Sequence, residues 1–296
     1  MRLQALLRPL VYLSLAGLAA CGSNPPSPSA ATPESTPTAP GTPVAPIRIG
    51  LALGGGAVKG FAHIGVIKML EANGLAPAVV SGTSAGSVVG ALYASGMNAF
   101  ELQEKAVALD ETRIRDLQLS SGGLLVGQKL EDYVNEQVGR KPLEQLAKPF
   151  VAVSTRLEDG ERTVFARGNT GQAVRASSSI PGVFQPVAIG KFHFVDGGIT
   201  SPVPVDAARQ LGADLVIAVD ISNKARGKAP ENMLGALGQS IAIMGQKLGQ
   251  AELAAQREEV DAALHRVRHS ARAIAKANLP PVVRGLFFAG MMSSMI

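Results

Sequence analysis

The sequence predicts an α/β domain: a three-layer α/β/α sandwich around a largely parallel central sheet, with a helical extension at its C-terminal end. Three observations carry this. Short apolar runs of strand length alternate with segments of helical period, the pattern of a sheet with helices on both faces. Two strand-to-helix junctions are glycine turns, Gly54-Gly55-Gly56 and Gly82-Thr83-Ser84-Ala85-Gly86. Beyond residue 222 only helical spacing remains.

Residues 1–20 read as a targeting segment rather than fold. Arg2 and Arg8 make a positive start, and Leu10 to Leu18 is apolar but shorter than the roughly 20 residues that span a bilayer. The run ends in Leu18-Ala19-Ala20-Cys21, small residues before the only cysteine of the chain. This resembles a bacterial lipoprotein signal, with cleavage before Cys21 and lipid on its thiol. An ordinary secretory signal with a chance cysteine is the plainer alternative. Residues 21–46 are rich in Pro, Ser, Thr and Ala with Glu34 as their one charge, so they should be a semi-extended linker. The expected location is the cell envelope, lipid-anchored through Cys21. In a Gram-negative cell, Gly22 rather than Asp after the cysteine points to the periplasmic face of the outer membrane.

The chain carries 28 Lys and Arg against 23 Asp and Glu, a net charge of +5. Without Arg2 and Arg8 the balance is +3, too weak to argue for nucleic acid, and no nucleic-acid motif accompanies it. No His/Cys cluster or spaced carboxylate set suggests a metal, and no cofactor motif is complete.

In chain order, Ile47 to Leu53 predicts a buried strand broken by the three glycines. Phe61 to Asn73 predicts a helix with Ile64, Ile67 and Leu70 on one face and Gly74 as its stop. Ala78 to Ser81 is a short strand, and Val88 to Leu92 opens a helix. Leu102 to Gly139 looks mostly helical, interrupted at Ser120 to Gly123, and the loop-like Ser120 to Gly127 is a lid candidate. Phe150–Arg156 and Glu161–Ala166 flank Asp159-Gly160, a hairpin signal. Gly171 to Ser177 predicts a helix, Lys191 to Val195 a strand, Val205 to Leu211 a helix and Asp214 to Val219 a buried strand. Met233–Leu248 and Ala251–Ala277 predict two amphipathic helices. The apolar residues 282–296 could pack on the domain or dip into a membrane. The domain limits are therefore 1–20 signal, 21–46 linker, 47–222 catalytic domain and 223–296 helical region.

Three motifs carry chemistry. Ser84 sits between Gly82 and Gly86 at a strand-to-helix turn, the arrangement that lifts a nucleophilic hydroxyl above a sheet edge. The Gly54-Gly55-Gly56-Ala57-Val58-Lys59-Gly60 loop can turn amide hydrogens toward a phosphate or an oxyanion. Its spacing fits neither a phosphate loop nor a dinucleotide turn. Asp196-Gly197-Gly198 directly follows a strand, where α/β sheets place reactive groups. Each motif alone also fits a bare turn.

Together, in this order, they resemble the patatin-like phospholipase family. The likeness continues through Ala176-Ser177-Ser178-Ser179-Ile180-Pro181-Gly182-Val183-Phe184-Gln185-Pro186 and Leu211 to Asp220. It implies a patatin-like fold and a Ser–Asp dyad: Ser84 as nucleophile, Asp196 as general base, and Gly54, Gly55, Gly56, Lys59 and Gly60 as the oxyanion loop. It implies a lipid or phospholipid ester as substrate, with no cofactor. Two rivals use the same residues, an acyltransferase and a non-catalytic envelope lipoprotein that keeps the scaffold. Oligomeric state is not readable. The four histidines offer a weaker base: His63 and His193 read as packing or surface positions, and His265 and His269 fall on an arginine-rich helical surface.

Overall fold

The computed structural model describes residues 47–109, 116–120, 123–222 and 233–276. Cys21, the signal segment, the linker and residues 282–296 lie outside these. The chain runs β1 (Ile49–Leu53), α1 (Phe61–Ala72), β2 (Val79–Thr83), α2 (Ala85–Ala94), α3 (Ala99–Val107), β3 (Leu117–Ser120), β4 (Gly123–Leu125) and α4 (Gln128–Gln137). It continues with β5 (Phe150–Arg156), β6 (Arg162–Phe165), α5 (Thr170–Ser177), β7 (Val187–Ile189), β8 (Phe192–Asp196), α6 (Val205–Gln210), β9 (Leu215–Val219) and α7 (Met233–Lys276).

The layers follow from side-chain alternation along each strand. Leu51, Leu53, Val80, Phe150 and Ala152 face one way, into the main core with Ile64, Ile67, Ala91, Leu102, Val134 and Val174 of α1 to α5. Their neighbours Ala52, Val151 and Val153 face the other way, toward Val205 and Ala207 of α6 and Leu253 of α7. The three-layer sandwich is thus present, with five helices on one face and two on the other among the described residues.

The sheet has seven strands in the order β7-β8-β5-β2-β1-β9, with β6 also on β5. It is mixed rather than largely parallel. The β5-β2-β1-β9 core is parallel, whereas β6, β8 and β7 all pair antiparallel. The Asp159-Gly160 hairpin explains one reversal: Gly160 takes φ +76° and its amide returns to Arg156 O.

β5 holds the key register. Along one edge, Ala152 to Thr155 pair with β6. Along the other, Phe150 to Val153 pair with β2 and Ser154 to Arg156 pair with β8. β2 and β8 therefore lie end to end on one edge of β5, running toward each other. Thr83 stands opposite Val153, and Asp196 opposite Ser154, the next residue.

Four expectations change. Leu102 to Gly139 is not mostly helical: the β3–β4 hairpin separates α3 from α4, with the expected interruption at its turn. The apolar residues on either side of that turn pair as strands. The two C-terminal helices are one, α7, continuous through Gly249. β9 is an edge strand, half-buried rather than buried. β7, a three-residue edge strand, was not anticipated. Elsewhere the boundaries agree closely, including α1, which ends before Asn73 and Gly74 at φ +70°.

Candidate active site

The tight turn after β2 is built by what its glycines leave out. A Cβ on Gly82 would lie 2.5 Å from Gly86 O, and one on Gly86 would lie 2.1 Å from Leu53 O. The packed backbones of β1, β2 and α2 leave no space for either. Between them Ser84 takes φ 54° and ψ −124°, a region a non-glycine residue rarely occupies. Its carbonyl accepts from Ser87 N at 2.8 Å and Ser87 Oγ at 2.7 Å. Its own amide donates to Ser177 Oγ at 2.9 Å, and Ser177 Oγ donates to Val153 O. Ser177 thus fills the step on β5 between the end of β2 and the end of β8.

Asp196 reaches the same point from β8. Ser84 Oγ donates to Asp196 Oδ2 at 2.6 Å, and Gly198 N donates to Oδ1 at 2.7 Å. Both residues are 6% exposed. Burial pushes the Asp196 carboxyl up to about 6, against the hydrogen bonds from Ser84 and Gly198, which favour the ionised form. A carboxylate so placed is a better proton acceptor near neutrality than a free one at about 3.9. Gly197 is required here too, since its Cβ would strike Val153 O at 2.1 Å.

The glycine loop runs beside this pair, but its amides divide. Gly54 N donates to Val219 O at 3.0 Å and Gly55 N to Pro202 O at 2.9 Å, so neither offers its hydrogen to a ligand. This corrects the expectation that all three glycines are donors. Among the described residues, the amides of Gly56, Ala57 and Ala85 have no acceptor in the protein. Lys59 Nζ turns away to Ser222 O at 2.7 Å and ties the loop to the chain after β9. Gly60 lets the loop approach α2, where its Cβ would come 3.1 Å from Ala85 Cβ.

Buried His63 braces the loop from beneath. Its Nε2 is 2.8 Å from Gly54 O, and a carbonyl only accepts, so Nε2 carries the proton. Among the described residues Nδ1 has no partner, and burial holds the ring below its ordinary pKa and therefore neutral. Among the described residues, no histidine stands between Ser84 and Asp196, which bond directly. His193 pairs at the surface with Glu158 at 2.9 Å, and His265 is exposed on α7. Asp220 accepts from Ser222 N in a turn of its own.

Ser84 opens onto a cavity of about 690 Å³, within the range that accepts an extended organic ligand. The wall is almost wholly aliphatic and aromatic, with Ile64, Val88, Leu92, Leu130, Ile180 and Phe184 among its residues. Leu125 of the β3–β4 hairpin lines it and bridges to Phe184. Among the described residues, Lys105 is the one charged residue that lines it, and Ser178 Oγ on the wall has no partner. Exposed Val58 and Phe61 stand at the edge. Ser177 and His63 are supporting residues that motif reading passed over. The signals were present: a serine run at a helix end, and a histidine one helical turn after Lys59.

The chain is similar to several known proteins. Residues 51–209 match the family model described as patatin-like phospholipase. The chain is 38% identical over 184 residues to an uncharacterised NTE family protein of Mycobacterium tuberculosis, covering 62% of this chain and 51% of that one. It is 32% identical over 201 residues to patatin-like phospholipase domain-containing protein 6 of Homo sapiens, covering 65% of this chain and 14% of that one. To lysophospholipase NTE1 of Pyricularia oryzae it is 31% identical over 181 residues, covering 59% and 12%. The chain thus spans about half the length of the mycobacterial relative, and far less of the other two. The crystal structure of VipD from Legionella pneumophila is similar at a TM-score of 0.44 and 18% identity, over 52% of this chain and 46% of that one.

Proposed function

The chain belongs to the patatin-like phospholipase family, and from that premise we propose that it is a serine hydrolase of lipid acyl esters. One observation carries the reading: a strained, buried serine at the wall of an apolar cavity donates a 2.6 Å hydrogen bond to a buried carboxylate. Ser84 Oγ attacks the ester carbonyl as its proton passes to Asp196 Oδ2. The C–O bond to the alcohol breaks, and that alcohol leaves with the proton from Asp196. Water then repeats the sequence on the acyl-enzyme, restoring Ser84. The tetrahedral oxyanion is met by the amide hydrogens left without partners, those of Gly56, Ala57 and Ala85. Each such donor is typically worth on the order of 10²- to 10³-fold in rate. The cavity wall, apolar along most of its described lining, receives the acyl chain.

Membrane attachment through a lipid on Cys21, in the cell envelope, belongs to the same proposal, with residues 47–222 as the catalytic unit.

A lipid extract digested by wild-type, Ser84→Ala and Asp196→Asn protein, read by mass spectrometry, tests the dyad. Each variant should lose product formation by at least about 10⁴-fold. Ser84→Ala should also lose labelling by a fluorophosphonate probe, and retained turnover in either variant would end the dyad. Run on cell fractions, the same assay should follow the membrane, and should move to the soluble fraction in Cys21→Ala.

A further inference from the structure

α7 packs on the α6 side of the sheet, away from the cavity, and one of its faces descends on the segment after Asp196. Gly245, Gly249 and Glu252 stand four and three residues apart, so they share that face. A Cβ on Gly245 would be 3.5 Å from Gly198 O, and one on Gly249 3.7 Å from Pro202 Cγ. This face of the helix therefore lies over residues 198–202, at a distance that would admit a Cβ at either glycine, and Glu252 reaches in from it. Its Oε1 accepts from Ser201 Oγ at 2.7 Å and its Oε2 from Val203 N at 3.2 Å. Burial raises its carboxyl above the usual range, while both hydrogen bonds pull the other way.

The two groups that Glu252 holds flank Pro202, and this short stretch is where the parts of the site join. Ser201 N donates to Gly197 O at 2.8 Å, beside Asp196. Ser201 O accepts from Thr83 Oγ1 at 2.8 Å, beside Ser84. Pro202 O accepts from Gly55 N at 2.9 Å, in the glycine loop. Base and nucleophile are each one hydrogen bond and one residue, and the loop one hydrogen bond, from a segment that Glu252 of α7 holds through two hydrogen bonds.

We propose that Glu252 is a positioning residue for the Ser84–Asp196 pair, and that α7 is a strut of the active unit rather than an appendage to it. Glu252 touches no reacting atom; it acts through Ser201 and Val203. The inference rests on the hydrolase reading.

The test uses full-length Glu252→Ala, Glu252→Gln and Ser201→Ala protein on a soluble p-nitrophenyl ester, beside wild type and Ser84→Ala. Glu252→Ala should lower kcat about 10-fold or more, with KM within about twofold, because sub-ångström misplacement of reacting groups is costly. Fluorophosphonate labelling of Ser84 should slow in parallel, with the circular dichroism spectrum retained. Glu252→Gln can accept from Val203 N and donate to Ser201 Oγ, so it should recover most of the rate. Ser201→Ala removes one of the two bonds without touching α7, and decides the matter should Glu252→Ala not fold: its kcat should fall by a smaller factor, about threefold. Unchanged kcat in the folded Glu252→Ala or in Ser201→Ala, a change in KM alone, or a Gln variant as slow as Ala would each overturn the strut. Wild-type protein that neither cleaves the ester nor labels would overturn the hydrolase reading, and the strut with it.

Discussion

Asp196 shows what burial costs and what it supplies. With a folded-state pKa of about 6 against about 3.9 for the free side chain, the native state holds this proton more tightly than the unfolded chain does. The associated stability is complete below about pH 4 and is lost as the pH rises through 6, roughly 3 kcal/mol in all. Over the same range the ionised base becomes available, so kcat/KM on a soluble ester should climb with an apparent pKa near 6 and level off above it. Asp196→Asn separates the two effects. An amide can accept from Gly198 N and donate to Ser84 Oγ, so it keeps the hydrogen bonds and removes the buried charge. It should be inactive yet more stable than wild type at pH 8, with the difference fading by pH 4, as urea unfolding at the two pH values would show. At this scale much was legible. Asp-Gly after a strand and Gly-x-Ser-x-Gly before a helix are local patterns, and local sterics place their side chains. The division of labour among Gly54, Gly55 and Gly56 was not, because Val219 and Pro202, whose carbonyls occupy two of the amides, lie far along the chain.

α1 ends at Asn73 and Gly74 as its stop signal implies. The start of α3 is a local signal that the sequence reading passed over: a capping box in which Asn98 accepts from Glu101 N and Glu101 accepts from Asn98 N opens the helix at Ala99, three residues before the expected Leu102. The β3–β4 hairpin was missed because its short apolar flanks carry the same letters in a strand as in a helix, and only pairing decides between them. α7 runs through Gly249, which lies over Pro202, despite the low helix propensity of glycine; packing against a distant segment is not included in local propensity. The elbow gives the sharpest element-level expectation. Gly86→Ala would drive a methyl group into Leu53 O, at the junction of β1 and α2. It should destabilise the domain by more than about 3 kcal/mol, seen as a large drop in thermal midpoint or as insoluble protein. By contrast Gly65→Ala, where a Cβ meets nothing within 4 Å, should leave stability unchanged or slightly raised.

Across the whole molecule, the α/β class follows from the alternation of strand and helix, but the mixed sheet does not. Whether β8 enters parallel or antiparallel is settled by its pairing with Ser154 to Arg156, a contact about 40 residues away that no periodicity encodes. That pairing has a further meaning. The strands that deliver hydroxyl and carboxylate never bond to each other; one backbone serves both as a gauge, and the gap between the reacting oxygens is read off two consecutive peptide units, Val153 and Ser154. The distance between Ser84 Oγ and Asp196 Oδ2 is therefore sensitive to a change of length at a place that touches neither group. One alanine inserted between those two residues would slide the carboxylate along the gauge by about 3.3 Å, past hydrogen-bonding reach. Such a protein should melt cooperatively and react sluggishly with the fluorophosphonate, and brisk labelling of a folded insertion mutant would show that the gauge yields instead.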